Sequence, residues 1–129
     1  MVVSEVTTMS TALIVEDSLT DLQILVRCLQ EGGINVLIAQ SGEEAIATIT
    51  KQKPDVVVLD VVLPGCSGFE VCRRLKAEAD TSHIPVVICS TKGSQMDRFW
   101  GLKQGADAYL AKPVDQDELV HTIRQLINR

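Results

Sequence analysis

Residues 11–18 read TALIVEDS: five aliphatic or β-branched residues, then two carboxylates, Glu16 and Asp17, then Ser18. A run without polar alternation suits a strand buried on both faces of a sheet. Ser18 is a helix N-cap residue, and behind it Leu22, Leu25, Val26 and Leu29 recur at helical spacing until Gly32-Gly33 stops them. The unit then repeats. Short aliphatic runs at Asn35 to Ala39, Val56 to Leu59, Val86 to Cys89 and Ala108 to Leu110 alternate with longer amphipathic ones. Ser41 with Glu44 predicts a capping box, and Ser67 with Glu70 opens a helix carrying Val71 and Leu75. A fourth helix is expected over Asp97 to Gln104, stopped by Gly105, and a fifth over Asp115 to Asn128 with Leu119, Ile123 and Leu126. Strands alternating with helices in this way predict an α/β fold, a doubly wound five-stranded parallel sheet.

The chain's 129 residues suit one domain. Residues 1–10 are polar and without sustained period, so they read as a flexible N-terminal leader before a domain spanning 11–129. With 46% hydrophobic residues and a mean hydropathy of +0.18 the chain has material for a continuous core. A net charge of -5, a pI near 4.9 and only 3% aromatics argue against gripping a phosphate backbone or stacking on bases, so no direct nucleic-acid partner is expected. Cys28, Cys66, Cys72 and Cys89 show no CxxC pairing, and acidic Glu5 stands where a signal peptide needs positive charge. Reduced thiols and a cytoplasmic location are therefore expected. The apolar runs Val56 to Leu59 and Val61 to Leu63 are split by Asp60 and too short to cross a bilayer, which excludes membrane insertion through them.

Right-handed crossovers bring the carboxyl ends of all strands to one edge of such a sheet, where ligands bind. That edge collects Glu16-Asp17, Asp60, Ser90-Thr91 and Lys112-Pro113. Three crowded carboxylates repel, so at least one is expected to hold its proton more tightly unless a cation intervenes. Hard oxygen ligands suit Mg²⁺ or Mn²⁺, and Mg²⁺ prefers one or two carboxylates supplemented by water and phosphoryl oxygens. Lys112 as a point charge and the Ser90 and Thr91 hydroxyls suit the oxygens of a transferring phosphoryl group, with Asp60 as the nucleophile that becomes an aspartyl phosphate.

In these stretches the chain resembles the receiver domain of two-component response regulators, in its single-domain, chemotaxis-regulator-like form. The resemblance runs from Thr11 to Arg129 and rests on LIVEDS, VVVLDVVLPGCSGFEVCRRLK, PVVICST and GADAYLAKP. It implies a flavodoxin-like (βα)5 fold with strand order 2-1-3-4-5 and a phosphoryl group accepted on Asp60 from a sensor histidine kinase or phosphotransfer domain. It also implies Mg²⁺ held by Asp17, Asp60, the Val62 backbone carbonyl and Glu16, the last directly or through water. Lys112 and Ser90 would be catalytic, Ser90 and Tyr109 would form a switch, and Lys112-Pro113 would be cis. Glu16 stands where Asp is commoner in the family, and Ser90 replaces an equally common Thr. Such a protein is not an enzyme toward separate substrates; it catalyses only its own phosphotransfer and dephosphorylation, with Val62 and Lys92 bordering the path of attacking water. A downstream protein would bind the 96–128 face, at Met96, Trp100 and Tyr109. The WGLKQGA stretch resembles regulators of type IV pilus motility and phototaxis-like pathways.

Other classes fit less well. A phosphatase of the haloacid dehalogenase type wants a second acid two residues after its aspartyl nucleophile, where this chain has Val62. A nucleotide- or flavin-binding module wants a glycine-rich phosphate loop, and neither GxGxxG nor GxxxxGK[ST] is present. His83 and His121 sit outside any motif, so zinc is not expected. A receiver that works as an unphosphorylated scaffold is the surviving alternative.

Overall fold

The computed structural model describes residues 9–129; of the expected leader, residues 1–8 lie outside the described residues. Strands β1 (Thr11–Val15), β2 (Asn35–Ala39), β3 (Val56–Leu59), β4 (Val86–Ser90) and β5 (Ala108–Ala111) alternate with helices α1 (Leu19–Glu31), α2 (Gly42–Lys51), α3 (Gly68–Ala77), α4 (Gln95–Lys103) and α5 (Gln116–Ile127). The strands form one sheet in the order β2-β1-β3-β4-β5 with every pairing parallel. Strand order reverses between β1 and β3, the switch point at which open α/β sheets bind ligands.

Alternation along each strand sorts the core into two layers. Leu13, Val15, Val57, Leu59, Val86 and Ile88 face α2 and α3 through Ala45, Ile49, Val71 and Leu75. Ala12, Ile14, Val56, Val58, Val87 and Cys89 face α1 and α5 through Leu22, Leu25, Leu29, Leu119 and Ile123. Because both faces are covered, β1, β3 and β4 are apolar almost throughout.

Two expectations about helix starts are corrected. Helix α4 begins at Gln95, two residues before the expected Asp97, because Ser94 is its N-cap and Asp97 its reciprocal partner in a full capping box. At α2, Ser41 Oγ accepts from the Glu44 amide at 3.1 Å, but Glu44 Oε1 accepts from Gln40 rather than Ser41, at 2.9 Å. The staple thus closes one residue earlier than a capping box would.

Candidate functional site

The sheet ladder places the acids. The Glu16 amide donates to the Ala39 carbonyl of β2, and the Asp60 amide donates to the Val15 carbonyl of β1, both at 3.0 Å. The two residues therefore leave adjacent strands side by side. Behind Asp60 the chain turns into α3 so tightly that a Cβ on Gly68 would lie 1.9 Å from the Asp60 carbonyl oxygen. Only glycine permits that approach. On the far side, the Lys112 amide donates to the Ser90 carbonyl at 2.9 Å, locking the end of β5 to the end of β4. The Lys112-Pro113 bond is cis.

Lys112 Nζ then reaches back across the edge. It lies 2.5 Å from Glu16 Oε1, 2.9 Å from Asp21 Oδ2 and 3.5 Å from Asp60 Oδ2. Glu16 is only 1% exposed and Asp60 9%. Asp60 Oδ1 accepts from the Val61 amide at 2.7 Å, and Glu16 Oε2 accepts from the Ser18 amide at 3.1 Å. Burial pushes the Glu16 carboxyl up, against the lowering effect of Lys112 and the Ser18 amide, and the Asp60 charge adds to the rise. Burial works against the Lys112 charge, but its hydrogen bonds to Glu16 and Asp21 and the nearby carboxylates outweigh it, holding the ammonium above its ordinary range. Both groups thus bind a proton more tightly than usual, Glu16 chiefly through burial and Lys112 through the carboxylates around it.

The excess of carboxylates around Lys112 is also what a hard cation would answer. Among the described residues no group of three or more His, Cys, Asp or Glu side chains is gathered closely enough to hold a metal ion by itself. Mg²⁺ does not require one, since it takes one or two carboxylates and fills the rest of its shell with water and phosphoryl oxygens. Buried Glu16 and Asp60 oxygens beside solvent-exposed Asp17 match that demand.

Ser90 is fully buried at the end of β4, and its Oγ accepts from the Lys92 amide at 3.2 Å; Thr91 and the Lys92 and Val62 side chains are exposed. Tyr109 departs from expectation. It does not line the outer face: it is 6% exposed, with its hydroxyl donating to the Lys92 carbonyl at 2.5 Å. Its ring fills the space over Gly101, where a Cβ would come within 2.7 Å of Tyr109 Cδ2. Met96 and Trp100 are exposed, as are Phe99 and Leu102.

Sequence reasoning missed Asp21. Ser18-x-x-Asp21 is a capping-box spacing, and nothing local distinguishes a carboxylate serving its own helix from one turned toward residue 112.

Comparisons with known proteins agree with this geometry. Residues 12–124 match the family described as "Response regulator receiver domain". The chain is 44% identical over 119 residues to Protein PilH of Pseudomonas aeruginosa, covering 92% of this chain and 98% of PilH. It is 37% identical to the phosphate regulon transcriptional regulatory protein PhoB of the same organism, of which it spans about half, 52%. Among solved structures, a response regulator from Chloroflexus aurantiacus superposes with a TM-score of 0.91 at 35% identity, covering 95% of this chain and 100% of that one. The receiver domain of the sensor histidine kinase PA1611 from Pseudomonas aeruginosa, described with a magnesium ion coordinated in its active site cleft, superposes at 0.87 with 25% identity, covering 95% and 100%. By its sequence, its strand order and the acids and lysine gathered at its switch point, the chain belongs to the family of response regulator receiver domains.

Proposed function

We propose that the protein is a single-domain response regulator that accepts a phosphoryl group on Asp60 from a histidine kinase or phosphotransfer domain, in an Mg²⁺- or Mn²⁺-dependent reaction. The observation that carries this reading is the Asp60 carboxylate, nearly buried at the end of β3 with Lys112 Nζ 3.5 Å from one of its oxygens. An Asp60 oxygen attacks phosphorus, the P–O bond forms as the P–N bond of the phosphohistidine breaks, and the leaving imidazole nitrogen takes a proton from solvent. Lys112 and Ser90 would meet the phosphoryl oxygens, with exposed Thr91 at the rim. Glu16, Asp17, Asp60 and the Val62 carbonyl would hold the cation, which when bound offsets charge on the transferring group.

The signal then passes through Ser90. Its hydroxyl accepts from the Lys92 amide and keeps its own proton to donate, so a shift toward a phosphoryl oxygen would pull on the contact with Lys92, where Tyr109 is also anchored. Phosphorylation thereby biases the Ser90–Lys92–Tyr109 chain of hydrogen bonds and, through Gly101, the position of α4. A target protein would read the face of residues 96–128. The protein turns over no separate substrate.

The test is Asp60→Asn with a phosphohistidine donor or acetyl phosphate. Wild type should acquire an Mg²⁺-dependent, base-labile label that the variant loses while keeping its fold. Full labelling of the variant would move the acceptor elsewhere. The inward Tyr109 favours one second reading, a scaffold that needs no phosphate; it would bind its target equally well as wild type and as Asp60→Asn.

A further inference from the structure

Lys112 has three acidic partners, and the proposed function uses two of them. The third, Asp21, comes from the first turn of α1, where its amide donates to the N-cap Ser18 Oγ at 3.3 Å. Helix α4 shows what such a residue ordinarily does. There Asp97, in the same position after Ser94, turns its carboxylate back to the Ser94 amide at 3.3 Å and hydroxyl at 2.7 Å. In α1 the corresponding amide, that of Ser18, is taken by Glu16 Oε2. The Asp21 carboxylate is thereby released from capping and closes on Lys112 Nζ at 2.9 Å, shorter than the 3.5 Å from Nζ to Asp60. A cavity of about 80 Å³, lined by Asp21, Ile24, Leu25, Lys112, Pro113 and Val114, opens beside this pair.

We propose that Asp21 is a positioning residue that parks the Lys112 ammonium on the α1 side of the site, so that phosphoryl transfer to Asp60 must first break or stretch this ion pair. The inference rests on Asp60 being the phosphoryl acceptor. Lys112 must follow the phosphoryl oxygens as negative charge concentrates over Asp60, and a carboxylate that holds it in the resting state but not in the transition state raises the barrier. Asp21 is thus a brake on acceptance: it sets the rate without touching the reacting atoms.

The test compares wild type, Asp21→Asn and Asp21→Glu with acetyl phosphate and Mg²⁺. Asp21→Asn should label roughly three- to fivefold faster, the scale of one partly exposed ion pair, and Asp21→Glu should fall back toward wild type. The gain should shrink but persist at about 0.5 M salt, because a direct 2.9 Å contact is screened less than through-space repulsion of the anionic donor. The Lys112 side-chain resonance of lysine-labelled Asp21→Asn, before any phosphate is added, should move toward the position it takes in phosphorylated wild type. An unchanged or slower rate in Asp21→Asn, a gain abolished by salt, or an unmoved Lys112 resonance would each overturn the proposal. Absence of any label on wild-type Asp60 would instead overturn the proposed function, and the resonance, measured against unphosphorylated wild type, would still show whether Asp21 holds Lys112.

Discussion

Lys112 is the side chain on which the acidic edge depends, and removing its charge shows how much. In Lys112→Met, buried Glu16 loses its 2.5 Å partner and faces Asp21 and Asp60 with no cation between them. Leaving one member of a buried pair uncompensated costs about 3 kcal/mol, so we expect the variant to unfold at distinctly lower denaturant near neutral pH. The pH dependence has a definite sign. Lys112 is held above its ordinary value of 10.5, so its contribution is complete below that value and is lost as pH rises through the folded one. Glu16 is held above its ordinary 4.5, so its ionisation costs stability as pH rises from there through the folded value. The deficit of Lys112→Met should therefore be widest between these limits and should narrow both in acid, as Glu16 is protonated, and in strong alkali. Denaturation curves recorded across the pH range check this; a deficit independent of pH would mean that lost packing, not charge, dominates.

Helices differ in how firmly they are held, and α4 is held least. Leu22, Leu25, Cys28 and Leu29 anchor α1, whereas α4 buries only Gly101. Besides that contact, Arg98 donates to the Gly93 and Tyr109 carbonyls, and Cys72 Sγ to Gln104. Few buried apolar contacts mean a low opening free energy, so amide exchange in α4 should be the fastest of the five helices. Gly101→Ala should speed it further, because the added methyl meets the Tyr109 ring at 2.7 Å; overpacking of about 2 kcal/mol is only partly offset by ~1 kcal/mol of helix propensity. Exchange in α4 as slow as in α1 would mean that the helix is not the movable element. The same sparseness explains what sequence made legible. Helices α1 and α5 show their apolar stripes plainly, and their predicted spans agree with the structure to within a residue or so. Helix α4 has Met96, Phe99, Trp100 and Leu102 exposed, so no stripe marks its start, and the Ser94 cap was easy to pass over. Sequence suggested an inward rotation of Tyr109 only on phosphorylation; its inward position without phosphate depends on the absent side chain at Gly101.

At the scale of the whole molecule the acids, the hydroxyl and the lysine converge because five parallel strands all end at one edge. That much was legible: strand periodicity and crossover handedness place Glu16, Asp60, Ser90 and Lys112 together, whereas the strand order came from family resemblance and the Asp21 contact from neither. The edge as a whole should respond to divalent cation. Mg²⁺ at about ten times its dissociation constant adds ~1.4 kcal/mol to the stability of a state that alone binds it, a rise of a few degrees in Tm for a chain of this size. Asp17→Asn should raise the Tm of the metal-free protein slightly and blunt the Mg²⁺ response. Melting curves indifferent to both changes would remove charge crowding as a property of this edge.

The reach of Lys112 also dictates an order of assembly. Its partners Glu16, Asp21 and Asp60 lie 96, 91 and 52 positions earlier in the chain. Contacts between residues so distant close late, because the entropy of the intervening loop opposes them. A partly wound molecule holding only β2, β1 and β3 already carries the three carboxylates without Lys112, so their repulsion falls on the incomplete form. Docking of β5 relieves it. Charge balance at this acidic edge thus records that the last crossover has been made, so that the edge is neutralised only in a molecule whose sheet is complete.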